Sequence, residues 1–175
     1  PALYVFISET DFGLRKTKLE PESSGGDGDP LDICVVSERP IERSEVLLRA
    51  RVVGGIKLID RGEADDKIIA VLEGDYVWDK VEEITALPPV LVERLEHYFS
   101  TYKMVPGQPN KMQIVGTYGY AHAAAVIQAS CLDYIDKFGT PDVDRRRPTS
   151  SNWRRLKSAS GSSFTAVIMT RDWDG

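Results

Sequence analysis

Residues 27–36 read DGDPLDICVV, with three aspartates in six positions running straight into an apolar stretch. In extended chain, residues two apart project to the same side, so Asp27 and Asp29 can face one point. Pro30 fixes a local bend and Asp32 opens the apolar strand that follows. Three carboxylates this close repel one another, and divalent cations turn that cost into a ligand set. Hard oxygen ligands select Mg²⁺, Mn²⁺ or Ca²⁺ over zinc. On this segment alone an acidic surface turn reads as well. An EF-hand does not: Leu31 stands where a ligand belongs and Asp32 where that loop needs Gly.

Outward from this stretch the chain alternates short apolar runs with turn residues. Residues 2–8 predict a strand, and 9–26, with Pro21 and a Ser-Ser-Gly-Gly run, a loop. Residues 31–36, 46–53, 56–59 and 67–72 are Val/Ile-rich and bounded by Gly, Pro or charge, a strand series with tight connections as in a small barrel. Pro88 and Pro89 suit the start of a helix over 89–102, with Leu91, Leu95, Tyr98 and Tyr102 as its apolar stripe. A strand over 112–118 precedes an Ala-rich helix over 120–137, which Gly139 and Pro141 stop. The expected class is α+β. Residues 1–138 read as one domain, and 139–175 as a basic, Ser-rich, disordered tail in which FTAVIM is a short isolated apolar run.

Charge and composition narrow the function. Of 175 residues with net charge −5, the segment 139–175 holds seven Lys/Arg against four Asp/Glu, so the body is strongly acidic. Phosphate backbones need a basic surface, which argues against nucleic acid as a partner; a cation-concentrating site suits the charge better. No apolar run approaches a membrane span. Cys34 and Cys131 read as buried free thiols of a reducing, cytoplasmic compartment. His97 and His122 are too few and too isolated for a histidine metal site. The chain opens at Pro1, which leaves its true start open.

A second acidic group, IDRGEADDK over 59–67, puts Asp60 at the end of one predicted strand and Asp65 before the next. A tight connection brings both to one end of a hairpin, and Lys67, two past Asp65, can point to the same side. Acids that hold cations beside a lysine that holds phosphate oxygens would suit a metal–phosphate complex; a solvated hairpin tip is the plainer reading. Tyr102 and Lys103 close the first helix, where a lysine is common for dipole reasons alone.

Together these segments resemble family I soluble inorganic pyrophosphatases. The family signature Asp-x-Asp-Pro-x-Asp is matched by DGDPLDICVV, its Asp…Asp-x-Lys segment by VVGGIKLIDRGEADDKIIAV, and its Leu-Pro turn and helix ending in Tyr-Lys by LPPVLVERLEHYFSTYK. Order and spacing agree over about 27–137. The family's upstream Tyr-Pro-x-Asn-Tyr-Gly segment is absent, so the N-terminal part of the family domain reads as missing or replaced; Arg15, Lys16 and Lys18 could supply charge there. The resemblance implies an OB-like five-stranded β-barrel with flanking α-helices, and hydrolysis of pyrophosphate with several Mg²⁺ ions. By analogy Asp27, Asp32, Asp60 and Asp65 are metal ligands, Asp29 is the general base, and Lys67, Tyr102 and Lys103 contact phosphate. A homo-oligomer is implied as well. The alternatives are an inactive Mg²⁺-binding homologue and an OB-fold nucleic-acid binder that uses the basic tail.

Overall fold

A computed structural model describes residues 4–9, 16–19, 21–41, 47–139 and 165–169, with backbone alone for 4–9, 47 and 165–169. The strands are β1 (Tyr4–Glu9), β2 (Asp32–Ser37), β3 (Leu47–Asp60), β4 (Glu63–Ala64), β5 (Lys67–Leu72), β6 (Met112–Gly119) and β7 (Thr165–Met169). The helices are α1 (Pro89–Thr101) and α2 (Tyr120–Phe138). The sheet runs β1-β2-β5-β3-β4, with β6 and β7 also paired to β3. Among the described strands β2 and β5 pair in parallel and the other ladders are antiparallel. Among the described residues no ladder joins β1 to β6, so the sheet is open.

The α+β class stands, and three details differ from expectation. Two strands over 46–53 and 56–59 are one, β3, because Gly54 and Gly55 continue the chain through a bulge instead of ending it. A Cβ on Gly54 would lie 2.4 Å from the Tyr118 carbonyl oxygen, and one on Gly55 equally close to the Tyr118 ring. Glycine here permits close approach of β6, not a turn. Second, Glu63–Ala64 and Thr165–Met169 add strands to the expected five. The latter falls in the segment read as a disordered tail, where 165–169 pair in register with Leu47–Arg51. The rest of that segment beyond Gly139 lies outside the described residues, as do 10–15 and 20 of the expected loop.

The third difference is the face of α1. Leu91, Leu95 and Phe99 are its buried residues, four apart, whereas Tyr98 and Tyr102 are 47% and 41% exposed. Tyr102 caps the helix, its N–H donating to the Tyr98 carbonyl.

Both sheet faces are covered, which explains strands without clean polar alternation. Cys34, Val36, Ile69 and Val71 pack with Leu91, Leu95 and Phe99 of α1. Ile33, Val35, Ile68 and Ala70 pack with Ala123 and Val126 of α2. The alternation along β2 and β5 sends successive residues to opposite helices. The two parallel strands therefore sit between the two cores, with β1 and β3 on either side of them in the sheet.

Candidate active site

The site forms where β2 and β5 begin. Asp32 and Lys67 are register partners at the first position of each strand. The Lys67 side chain is 2% exposed and its ammonium bridges the carboxylates of Asp32 and Asp65. It also stands 5.9 Å from the centroid of the Phe99 ring. Burial alone would push this lysine down, but Asp32 and Asp65 outweigh it and hold Lys67 above the usual lysine value.

The β3–β4 hairpin brings the second acidic group to the same place. Arg61 and Gly62 form its two-residue turn with φ of 54° and 92°, the twist that suits antiparallel strands. Asp60 and Glu63 pair at the turn, and Asp65 leaves β4 toward β5. Lys103, just past α1, donates to Asp60 at 3.0 Å and lies 3.6 Å from Asp65. Burial opposes its charge, yet Asp60 and the Tyr102 hydroxyl raise Lys103 well above the ordinary lysine range.

The Asp27–Asp29 segment is not extended as expected. Gly28 has φ of 83°, and the Asp29 N–H donates to an Asp27 carboxylate oxygen at 3.0 Å. A local Asx turn thus presents the two aspartates, with Asp27 partly buried and Asp29 exposed. Burial raises Asp27 to about 6; the Asp29 N–H opposes this, and the charges of Asp65 and Asp29 add to it. The Asp65 contribution ties the first acidic segment to the second.

All eight residues expected at the site are therefore described: Asp32, Asp60, Asp65, Lys67, Tyr102 and Lys103 are joined by side-chain contacts, and the Asp27–Asp29 turn meets them through the backbone bridge of Gly26 to Ala64. Among the described residues no three side chains of the metal-binding kinds already surround one point. Lys67 takes the place between Asp32 and Asp65. Sequence reasoning missed Phe99, whose ring lies beneath the Lys67 ammonium, and Asp66, which is 1% exposed and accepts the Tyr118 hydroxyl. The four-residue rhythm Leu91-Leu95-Phe99 was the signal for the first; nothing in the acidic run marked Asp66 as the one turned inward.

The family model for inorganic pyrophosphatase matches residues 1–135. The chain belongs to the inorganic pyrophosphatase family. This pyrophosphatase-family chain is 44% identical over 148 residues to the inorganic pyrophosphatase of Chlamydia caviae, which covers 79% of this chain and 68% of that protein. It is 42% identical over 148 residues to that of Chlamydia muridarum, covering 79% and 71%. Among solved structures, an inorganic pyrophosphatase from Neisseria gonorrhoeae superposes with a TM-score of 0.61 at 29% identity, over 73% of this chain and 68% of that one. The OB-like fold expected from the sequence is that of these pyrophosphatases. Metal dependence is a property of the family; among the described residues no helix is long and apolar enough to cross a membrane.

Proposed function

We propose that this chain hydrolyses inorganic pyrophosphate to two phosphates with Mg²⁺. The observation that carries the reading is the joining of two acidic segments around two lysines, in a chain of this family. Among the described residues Asp32, Asp60 and Asp65 pair with Lys67, Lys103 and the exposed Arg61, and with Asp27 and Asp29 nearby in the chain the carboxylates outnumber these cations, an excess that invites further cations. Burial raises the Asp27 carboxyl first, and the neighbouring charges of Asp65 and Asp29 add to it. The donors are all carboxylate oxygen, which fits Mg²⁺.

Asp27, Asp32, Asp60 and Asp65 would hold the ions. When bound, Mg²⁺ neutralises the pyrophosphate and acidifies the attacking water. The residues of the chain supply the rest. Asp29, exposed and fixed through its own N–H to Asp27, takes the proton of the water that attacks phosphorus. The P–O bond to the bridging oxygen breaks, and its electron pair leaves on the second phosphate. Lys67, Tyr102 and Lys103 neutralise and orient phosphate oxygens. Asp32 and Asp65 would be among the residues that hold the ions, and the Lys67 ammonium that they flank would neutralise an anionic phosphate oxygen.

A cytoplasmic homo-oligomer without nucleic-acid or membrane partners completes the reading, by family resemblance and from two free thiols, Cys34 buried and Cys131 only partly so. The test is phosphate release from pyrophosphate with Mg²⁺, beside EDTA and Asp29→Asn controls. Release that requires Mg²⁺ and falls in the variant supports the reading; no release from folded protein overturns it in favour of a non-hydrolysing homologue.

A further inference from the structure

The buried face of α2 carries Ala123, Val126, Ser130 and Asp133. A carboxylate on this stripe is anomalous, because burying a charge is costly unless it is well bonded. Asp133 is 9% exposed and well bonded. One of its oxygens accepts the backbone N–H of Lys16 at 2.9 Å and that of Thr17 at 2.6 Å. The other accepts the Thr17 hydroxyl. These bonds span more than a hundred residues of sequence and fasten 16–17 to α2.

The fastened segment leads to the site. The Lys16 carbonyl accepts the Gly26 N–H at 3.0 Å. Gly25 lies so close that a Cβ there would sit 3.2 Å from the same carbonyl oxygen. Gly26 in turn bridges to Ala64 in parallel, and the Gly25 carbonyl accepts the Ala64 N–H at 2.7 Å. The residues that follow Gly26 and Ala64 are Asp27 and Asp65. One short backbone ladder thus sets the two aspartates side by side, and Asp133 is the polar anchor at its far end.

We infer that Asp133 is a positioning residue for the divalent-cation site, acting through Lys16–Thr17 and the Gly25–Gly26 backbone they hold to keep Asp27 beside Asp65. The inference rests on the reading of Asp27 and Asp65 as cation ligands. The anchoring carboxylate touches neither metal nor substrate; it fixes the backbone from which one ligand projects. Residues that orient ligands at one remove commonly shift metal affinity about tenfold or more.

Calorimetric titration of Mg²⁺ into the full chain without pyrophosphate tests this, with circular dichroism confirming the fold of each variant. Asp133→Asn and Thr17→Val are expected to weaken Mg²⁺ binding about tenfold, and Thr17→Ser, which keeps the hydroxyl, to restore it. Ser130→Ala, on the same buried stripe but outside the clamp, is expected to leave binding unchanged. If Asp133→Asn does not fold, the Thr17 pair decides. Equal affinity for wild type, Thr17→Val and Thr17→Ser overturns the inference, as does equal loss in Ser130→Ala. Absence of Mg²⁺ binding by the wild type would instead overturn the underlying ligand reading.

Discussion

Lys67 and Asp32 face each other as register partners across the parallel β2–β5 ladder, and their side chains are ion-paired at the strand ends. Asp65 shares the same ammonium. A lysine this deeply buried is tolerable because two carboxylates meet it.

Removing that ammonium leaves two carboxylates facing one another. Lys67→Met is expected to destabilise the cation-free protein by about 3 kcal/mol at neutral pH. Millimolar Mg²⁺ should recover part of the loss, since a cation takes over the same neutralisation. Urea unfolding with EDTA and with Mg²⁺ measures both; an equally stable variant in EDTA contradicts the pairing. The raised folded-state pKa of Lys67 gives stability that is complete below its unfolded value near 10.5 and is lost only in strong alkali.

Asp27 behaves in the opposite sense. Its folded pKa of about 6 lies above the ordinary 3.8, so the folded chain holds a proton that the unfolded chain has released. Its contribution to cation-free stability is greatest below pH 3.8 and falls as pH rises toward 6. Asp27→Asn should therefore gain stability relative to wild type across that window in EDTA, and weaken Mg²⁺ binding. A stability difference between the two that does not change from pH 4 to pH 7 argues against the burial of this charge.

The two roles in the first acidic segment separate by titration. Asp29→Asn is expected to lower phosphate release about a hundredfold or more, the usual scale of a lost general base. Its Mg²⁺ affinity should stay close to wild type. Asp32→Asn should weaken Mg²⁺ binding more than Asp29→Asn does, and the reverse order in the metal titration would sink the assignment.

The bulge in β3 has a steric prediction. Gly54→Ala places a methyl against the Tyr118 carbonyl, which belongs to backbone and cannot swing aside. A loss of about 2 kcal/mol or more is expected in denaturant unfolding, the scale of an overpacked core. An unchanged midpoint would show that β6 can move away without cost.

Much of the site was legible in the sequence. Spacing within DGDPLDICVV and within IDRGEADDK set which carboxylates are near one another along the chain, and the two-residue Arg61-Gly62 turn joined Asp60 to Asp65 locally. Helix and strand types followed from apolar rhythm and from Pro89 and Gly139. The Tyr98–Tyr102 stripe went wrong because aromatic residues at helical spacing fit an apolar face and an exposed one equally well; packing against Leu87 and Met112 chose Leu91, Leu95 and Phe99 instead.

By itself, then, the sequence determined the local chemistry: which acids cluster and which lysine follows them. Tertiary structure decided what those groups meet. That Lys67 pairs with Asp32, thirty-five residues away, depends on β2 and β5 being parallel neighbours. That Asp133 reaches Thr17, and that 165–169 join β3, depends likewise on packing between distant segments. Periodicity reports the face a residue takes on its own element, whereas long-range pairing is fixed only when both faces of the sheet are buried together.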